Sequence, residues 1–205
     1  MPDEKYLEEY VMVFPTQLLR QMGMFQGVSF DTARYMESIL NPNNHTFIKR
    51  KDAETNPEYK QLIPYALLHC EDKCFVYRRC KILAEKRLLG NYSLGVGGHI
   101  SVTDPGLFGT SYDDGLEREI NEEVSIESPY SKRIVALLND DSNEVGRVHF
   151  GIIHVLELEQ PLVKPKEKSI NETKFMGIDD LRKDQEKFEN WSQICIQHIQ
   201  QVLSH

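Results

Sequence analysis

The sequence predicts an α+β fold, and three observations carry that prediction. Two apolar runs flank Glu71-Asp72 and read as a β-hairpin. Residues Leu116, Ile120 and Val124 repeat at i, i+4 and mark one buried face of a helix. Two further runs rich in β-branched residues, 133–138 and 148–158, then precede an amphipathic helix near the end of the chain. A chain of 205 residues suffices for one substantial core. We therefore expect a main domain over residues 61–205 and an N-terminal α/β extension, residues 1–60, packed on it.

Within the extension, residues 9–15 read as a strand stopped by Pro15, with Thr16 placed to cap a helix that runs to Met22 and stops at Gly23. A second helix is expected from Asp31 to about Leu40, closed by Asn41-Pro42-Asn43-Asn44. The polar stretch 49–60 has no apolar period and reads as a loop. Tyr6, Tyr10, Phe14, Phe25, Phe30 and Tyr35 make the extension aromatic, which points to packing or a subunit face rather than to stacking on a ligand. Beyond the hairpin, a basic segment 79–87 leads to Tyr92-Ser93-Leu94-Gly95-Val96-Gly97-Gly98-His99-Ile100, whose glycines suit a strand edge close to a ligand. A short strand at 174–178 is expected before Asp179 as a helix cap. The last helix should span 186–203, turning Phe188, Trp191, Ile194, Cys195, Ile199 and Val202 inward.

Composition narrows the function classes. With 40% hydrophobic and 27% charged residues the chain is globular in type, and no window offers the ~20 apolar residues of a membrane span. The acidic start lacks a secretion signal, so a cytoplasmic location is expected. A net charge of −8 gives no general attraction to nucleic-acid polymers or anionic lipid. A small phosphorylated metabolite or nucleotide, with a cation, fits better. Cys70, Cys74, Cys80 and His69 offer a zinc reading, but Cys70-x3-Cys74 is not the usual C-x2-C pair, and buried reduced thiols are the better account of all four cysteines, Cys195 included.

The segment from Arg118 to Ile126 carries the chemistry. Glu119, Glu122 and Glu123 stand at i, i+3 and i+4, so a helix gathers them into one ridge of oxygen donors suited to Mg²⁺ or Mn²⁺. Arg118-Glu119-Ile120-x-Glu122-Glu123-x-x-Ile126 resembles the second half of the Nudix box, and Tyr92 to Ile100 resembles the strand and glycine pair that lead into it. The hairpin, glycine turn, acidic helix, strands and final helix follow that family's order over residues 62–204. The resemblance implies an α/β/α sandwich with a mixed sheet. It also implies hydrolysis of a nucleoside diphosphate linked to another moiety, by metal-activated water attacking phosphorus. Arg118, Glu119, Glu122 and Glu123 would be catalytic, with metal held by the three glutamates and the carbonyl near Gly98. Arg118 would fix a glutamate, and its i, i+4 spacing from Glu122 suits an ion pair.

Two departures from the motif stand out. Ser125 occupies the place of the closing glycine, which costs about 1 kcal/mol if the backbone must turn left-handed there. About six extra residues lie between Gly98 and Arg118, and Thr110 falls in the register of the first glutamate, leaving Asp113 or Asp114 as replacements. Loss of that acid also admits an alternative, a nucleotide-binding regulatory module on the same fold. Among the supporting residues, Arg78, Arg79, Lys81, Lys86 and Arg87 are candidates for phosphate contact, or simply solvated charges. His99 is a candidate to polarise phosphate, and Asp140, Asp141 or Glu144 in the acidic turn 139–144 to act as a late base or ligand. An isomerase of isopentenyl diphosphate shares the fold, but no cysteine and glutamate pair is placed for its protonation chemistry. A homodimer is in keeping with the family.

Overall fold

The computed structural model describes residues 8–79, 90–102, 111–167 and 170–205. The readings placed on Tyr6, Cys80, Lys81, Lys86, Arg87 and Thr110 therefore lie outside the described residues. The chain divides into two compact units, one of Met1–Pro64, Gly98–Arg118 and Ala136–Ile152, the other of Tyr65–Gly97, Glu119–Val135 and Ile153–His205.

In the first unit, strand β1 (Tyr10–Pro15) is antiparallel to both β3 (Thr46–Lys49) and β4 (Tyr59–Cys70), in registers that set Val11 opposite Ile48 and Val13 opposite Gln61. Strand β2 (Gly27–Ser29) pairs antiparallel with β9 (Tyr130–Asn139), Val28 facing Leu138, and β10 (His149–Leu158) lies between β9 and β4. Proline ends β1 as expected. However, Pro15 itself holds the cap position of helix α1 (Thr16–Met22), and the Thr16 hydroxyl donates to the Pro57 carbonyl at 2.8 Å instead of capping. Asp31 precedes α2 (Thr32–Ile39), where its side chain makes no cap hydrogen bond.

The stretch expected to be a loop contains a short helix, α3 (Arg50–Ala53). Tertiary contact explains it: the Arg50 amide donates to the Glu9 carbonyl at 2.7 Å, and the Arg50 guanidinium lies 3.3 Å from Glu9 and 3.5 Å from Glu54. Phe14 packs edge-on to Phe150 at 5.3 Å, and Phe25 meets Tyr35 and Phe150 at 5.3 and 5.9 Å. These aromatics form one core with Met12, Leu19, Leu62 and Ile152. Packing, as the sequence suggested, is their role, and full burial of a side chain such as Phe14 is worth about 1.5–3 kcal/mol.

The acidic turn is built around a buried lysine. Lys60 is wholly buried, and its Nζ donates to Asp141 Oδ1 at 2.5 Å and to the Gly146 carbonyl at 2.9 Å. Burial holds the Lys60 ammonium below its ordinary pKa, against the opposing pull of Asp141. The Asp140 carboxylate accepts from the Ser142 amide and from Asn143 Nδ2, while Asn143 Oδ1 accepts from the Gly146 amide and so caps α5 (Glu144–Arg147). A Cβ at Gly146 would lie 1.8 Å from the Asp140 carbonyl oxygen, so no other residue fits this turn without displacement.

In the second unit, β5 (Lys73–Arg79) pairs antiparallel with β4 and with β12 (Ile170–Gly177). The hairpin turns through Glu71, whose φ of 57° is left-handed. Short strands β6 (Tyr92–Ser93) and β7 (Gly95–Val96) add to β5 and β4. Gly95 seats the Tyr65 ring, which a Cβ would meet at 2.3 Å. The Tyr65 hydroxyl donates to Glu189 at 2.8 Å, and the ring packs edge-on to Trp191.

The last helix is not one piece. A 3₁₀ turn (Gln185–Lys187), helix α7 (Asn190–Gln197) and helix α8 (Ile199–Ser204) follow helix α6 (Ile178–Lys183), and His198 separates the final two. Helix α7 begins at Asn190 because the Glu189 carboxylate accepts from the Trp191 and Ser192 amides. Gly177, not Asp179, holds the cap position of α6. Of the residues expected to face inward, Phe188, Cys195, Ile199 and Val202 are buried, Trp191 and Ile194 are half-buried, and Ile196 joins them unforeseen.

Helix α4 (Ser111–Glu123) runs straight into β8 (Val124–Ile126), which pairs antiparallel with β11 (Val163–Pro165), Ser125 opposite Lys164. Ser125 therefore stays extended and escapes the left-handed strain foreseen for it; the non-glycine residues with positive φ among the described residues are Glu71 and Glu172. The Glu123 carbonyl instead accepts from the Lys166 amide at 2.9 Å and the Glu167 amide at 3.4 Å, and Lys166 Nζ reaches the Asn121 carbonyl at 2.5 Å. Both the lost carbonyl partners and the negative end of the helix dipole are met by one distant segment. Among the described residues, no helix is long and apolar enough to cross a membrane.

Candidate functional site

On helix α4 the apolar stripe behaves as the spacing requires: Leu116, Ile120 and Val124 are all buried. This fixes the rotation of the helix and so the places of its acids. Glu119 is half-buried, Glu122 is exposed, and Glu123 is buried with its carboxylate 3.5 Å from the Tyr77 hydroxyl, which donates more closely to the Gly95 carbonyl at 2.9 Å. Three carboxylates on adjoining turns supply only oxygen donors, the set that hard divalent ions such as Mg²⁺ and Mn²⁺ prefer. At the start of the helix Asp113 is exposed, whereas Asp114 is half-buried and its Oδ2 is buried with no hydrogen-bond partner. A buried carboxylate oxygen left without a donor is costly, and a cation is one group that satisfies it. Glu119, Glu122 and Glu123 are thus of the donor type that a magnesium-type ion takes.

The remaining residues singled out from the sequence fall in several places. Arg118, half-buried, donates from Nη2 to the His99 carbonyl at 2.8 Å, fastening the backbone just after Gly98. Gly98 itself is half-buried. Arg78 spans the surface of β5: its Nε donates to the Gly90 carbonyl at 2.7 Å, its Nη1 to Glu172 at 3.2 Å, and its guanidinium lies 5.5 Å from the centre of the Tyr92 ring. Arg79 is in β5, and its side chain is outside the described residues. Glu144 is exposed at the first turn of α5. Asp140 and Asp141 serve the turn around Lys60 described above.

His99 is buried and faces His149, with their Nε2 atoms 3.2 Å apart and their rings edge-on. Glu54 Oε1 lies 3.9 Å from each of those nitrogens. Burial, with Arg50, His149 and Arg118 nearby, holds the His99 imidazole well below its ordinary pKa, so it is neutral. Sequence reasoning found His99 but missed Glu54 and His149, because residues 54, 99 and 149 share no local spacing. Among the described residues, this is the group of histidine, cysteine and carboxylate side chains that converges closely enough to share an ion.

The cysteines are otherwise occupied. Cys70, Cys74 and Cys195 are free and buried, and His69 is hydrogen-bonded to Glu157 at 2.9 Å. Burial pushes the Cys74 thiol up to about 12 and raises that of Cys195 as well, as structural thiols require.

No family model matches the sequence. The chain is 33% identical over 199 residues to Protein YmaB of Bacillus subtilis (strain 168), covering 93% of this chain and 97% of that protein. The crystal structure of Tm1382, a candidate Nudix hydrolase, superposes with a TM-score of 0.77 at 28% identity, over 93% of this chain and 98% of the other. The Nudix domain of Shewanella oneidensis NrtR, solved with ADP ribose, shares the fold at a TM-score of 0.53 and 15% identity, over 71% of this chain and 87% of that one. The order of elements read from the sequence, the acidic helix behind its glycine pair, and a likeness that extends through almost the whole chain agree: this chain belongs to the Nudix hydrolase family.

Proposed function

We propose that the chain is a Mg²⁺- or Mn²⁺-dependent pyrophosphohydrolase that splits a nucleoside diphosphate linked to another moiety. The observation that carries this reading is the set of carboxylates on helix α4, Glu119, Glu122 and Glu123, held in rotation by the buried stripe beneath them. A divalent ion bound there would neutralise the diphosphate oxygens and bring the pKa of water toward neutrality. The protein's own part is to hold that ion, to take the proton from the attacking water with one of the glutamates, and to exclude bulk solvent around buried Glu123. The water oxygen bonds to one phosphorus as the bridging P–O bond breaks. Its electrons leave with the second phosphate, and two phosphorylated products result. Arg118 contributes by fixing the His99 carbonyl. Asp114, with its unpartnered Oδ2, is the residue we assign to the absent first glutamate of the motif.

The NrtR domain was solved with ADP ribose, so ADP-ribose and its relatives are the first ligands to test, ahead of dinucleoside polyphosphates, nucleotide sugars, coenzyme A and nucleoside triphosphates. That domain matches 71% of this chain, whereas Tm1382 matches 93%. A shared part of that size is in keeping with a catalytic domain over residues 61–205 and residues 1–60 as an addition. A homodimer and a reducing, cytoplasmic setting complete the proposal, the latter supported by the free buried thiols.

The test is incubation of the purified protein with each substrate class and Mg²⁺ or Mn²⁺ in ¹⁸O-labelled water. Hydrolysis with label in a phosphate product is the expected result. Nucleotide binding without turnover of any class would replace the enzyme with the regulatory module.

A further inference from the structure

We propose that Glu54, His99 and His149 form a separate binding site for a nitrogen-preferring divalent ion of the zinc class. The site rests on side chains outside the acidic ridge, two of them imidazoles. Its geometry is that of a coordination shell. The two Nε2 atoms are 3.2 Å apart and each is 3.9 Å from Glu54 Oε1, so the circle through the three atoms has a radius of ~2.1 Å, matching Zn–N and Zn–O bonds of about 2.0–2.2 Å. One point can therefore lie at bonding distance from all three donors.

A hydrogen bond behind the ring fixes the orientation of His149. Its Nδ1 lies 2.7 Å from the Val145 carbonyl, which can only accept, so in the neutral ring the proton is on Nδ1 and Nε2 accepts from His99 Nε2–H; ion binding replaces that hydrogen bond as the His99 proton moves to Nδ1. A metal-binding histidine is usually held in just this way, by a carbonyl or carboxylate behind the ring. Helix α5, anchored through Gly146 to Lys60, supplies that carbonyl. The backbone of His99 is pinned by Arg118, and its ring is buried. Glu54 has a side chain 34% exposed and forms the open side, where a water can complete four-coordination and the ion can exchange.

The donor types select the ion. Imidazole suits zinc, copper, nickel and iron, while Mg²⁺ prefers oxygen and keeps its waters. The same surroundings limit the affinity. Arg50, 3.5 Å from Glu54, shares that carboxylate, although Glu9 takes part of its charge. We therefore expect micromolar binding rather than the grip of a closed structural zinc site.

The test is Zn²⁺ titration of the metal-stripped full chain in excess Mg²⁺, read by competition with a zinc-sensitive dye and by the visible bands of Co²⁺ substituted for zinc. One Zn²⁺ per chain is expected, and it should persist in the Glu122→Gln/Glu123→Gln protein, which separates this site from the acidic ridge. Glu54→Gln, His99→Gln and His149→Gln should each weaken binding at least tenfold, with the Co²⁺ bands altered or lost. Glu54 is partly exposed, so its variant keeps the test sound if a histidine variant fails to fold. Absence of Zn²⁺ uptake in excess Mg²⁺, loss of uptake in the double glutamate variant, or an unchanged Glu54→Gln affinity would overturn the site and leave His99 and His149 as a hydrogen-bonded pair.

Discussion

The acidic ridge of helix α4 and the imidazole cluster of Glu54, His99 and His149 are both suited to a cation, yet the chain makes them in opposite ways. The ridge is local: Glu119, Glu122 and Glu123 stand within five residues, and one helix brings them together. The cluster is assembled from residues 45 and 50 positions apart, on a short helix border, a glycine-rich segment and a strand. The first offers oxygen to a hard ion and the second offers nitrogen to a softer one. What differs is how much of the fold must be in place before the donors meet.

Substitutions at each site test that contrast. The largest effect is expected from Glu122→Gln with Glu123→Gln, which should lower hydrolysis by roughly a hundredfold or more while Zn²⁺ uptake is retained. An activity that falls less than tenfold would remove the ridge from catalysis. Asp114→Asn should act more mildly, reducing turnover about tenfold at limiting Mg²⁺ and raising the Mg²⁺ concentration needed for half activity. Unchanged Mg²⁺ dependence would sink the assignment of Asp114 to the missing acid.

Gly146→Ala probes the other site from behind. The new methyl would meet the Asp140 carbonyl, so thermal unfolding should show a loss of about 1–3 kcal/mol, and Zn²⁺ affinity should fall as the Val145 carbonyl shifts away from His149. A fully stable variant with native zinc binding would disconnect the turn from the cluster. The smallest effect is expected from Cys74→Ser, which should leave Zn²⁺ affinity unchanged. Weakened binding there would return the metal to the thiols. In the native protein Cys74 and Cys195 should resist alkylation at neutral pH, and both should react once the chain is unfolded.

What could be read in advance follows the same division between local and remote. The hairpin about Glu71-Asp72, the strand ending at Pro15 and the buried stripe of Leu116, Ile120 and Val124 are patterns of a few residues, and each was legible in the sequence. Helix α3 was not, because Arg50 is held by Glu9, forty-one positions away. The late start of α7 at Asn190 was hidden because periodicity alone does not show that Glu189 will take two amides and begin a helix there. That Glu119, Glu122 and Glu123 share one helix was legible, whereas Glu54 stood in a polar stretch and His149 in an apolar strand run, and neither position signalled the other. A motif reports chemistry that one element can hold, and a tertiary site leaves no comparable trace.

The end of helix α4 lies between these extremes. Its last carbonyls are closed by Lys166 and Glu167, some forty positions downstream, rather than by a glycine of its own. The loop between must close before the helix terminus is complete, and that closure is an entropic cost borne during folding. The final turn, with Glu123 on it, therefore matures late: nascent chains that stop short of β11 would carry the sequence of the acidic ridge without its finished geometry, and activity would become a property of the completed chain.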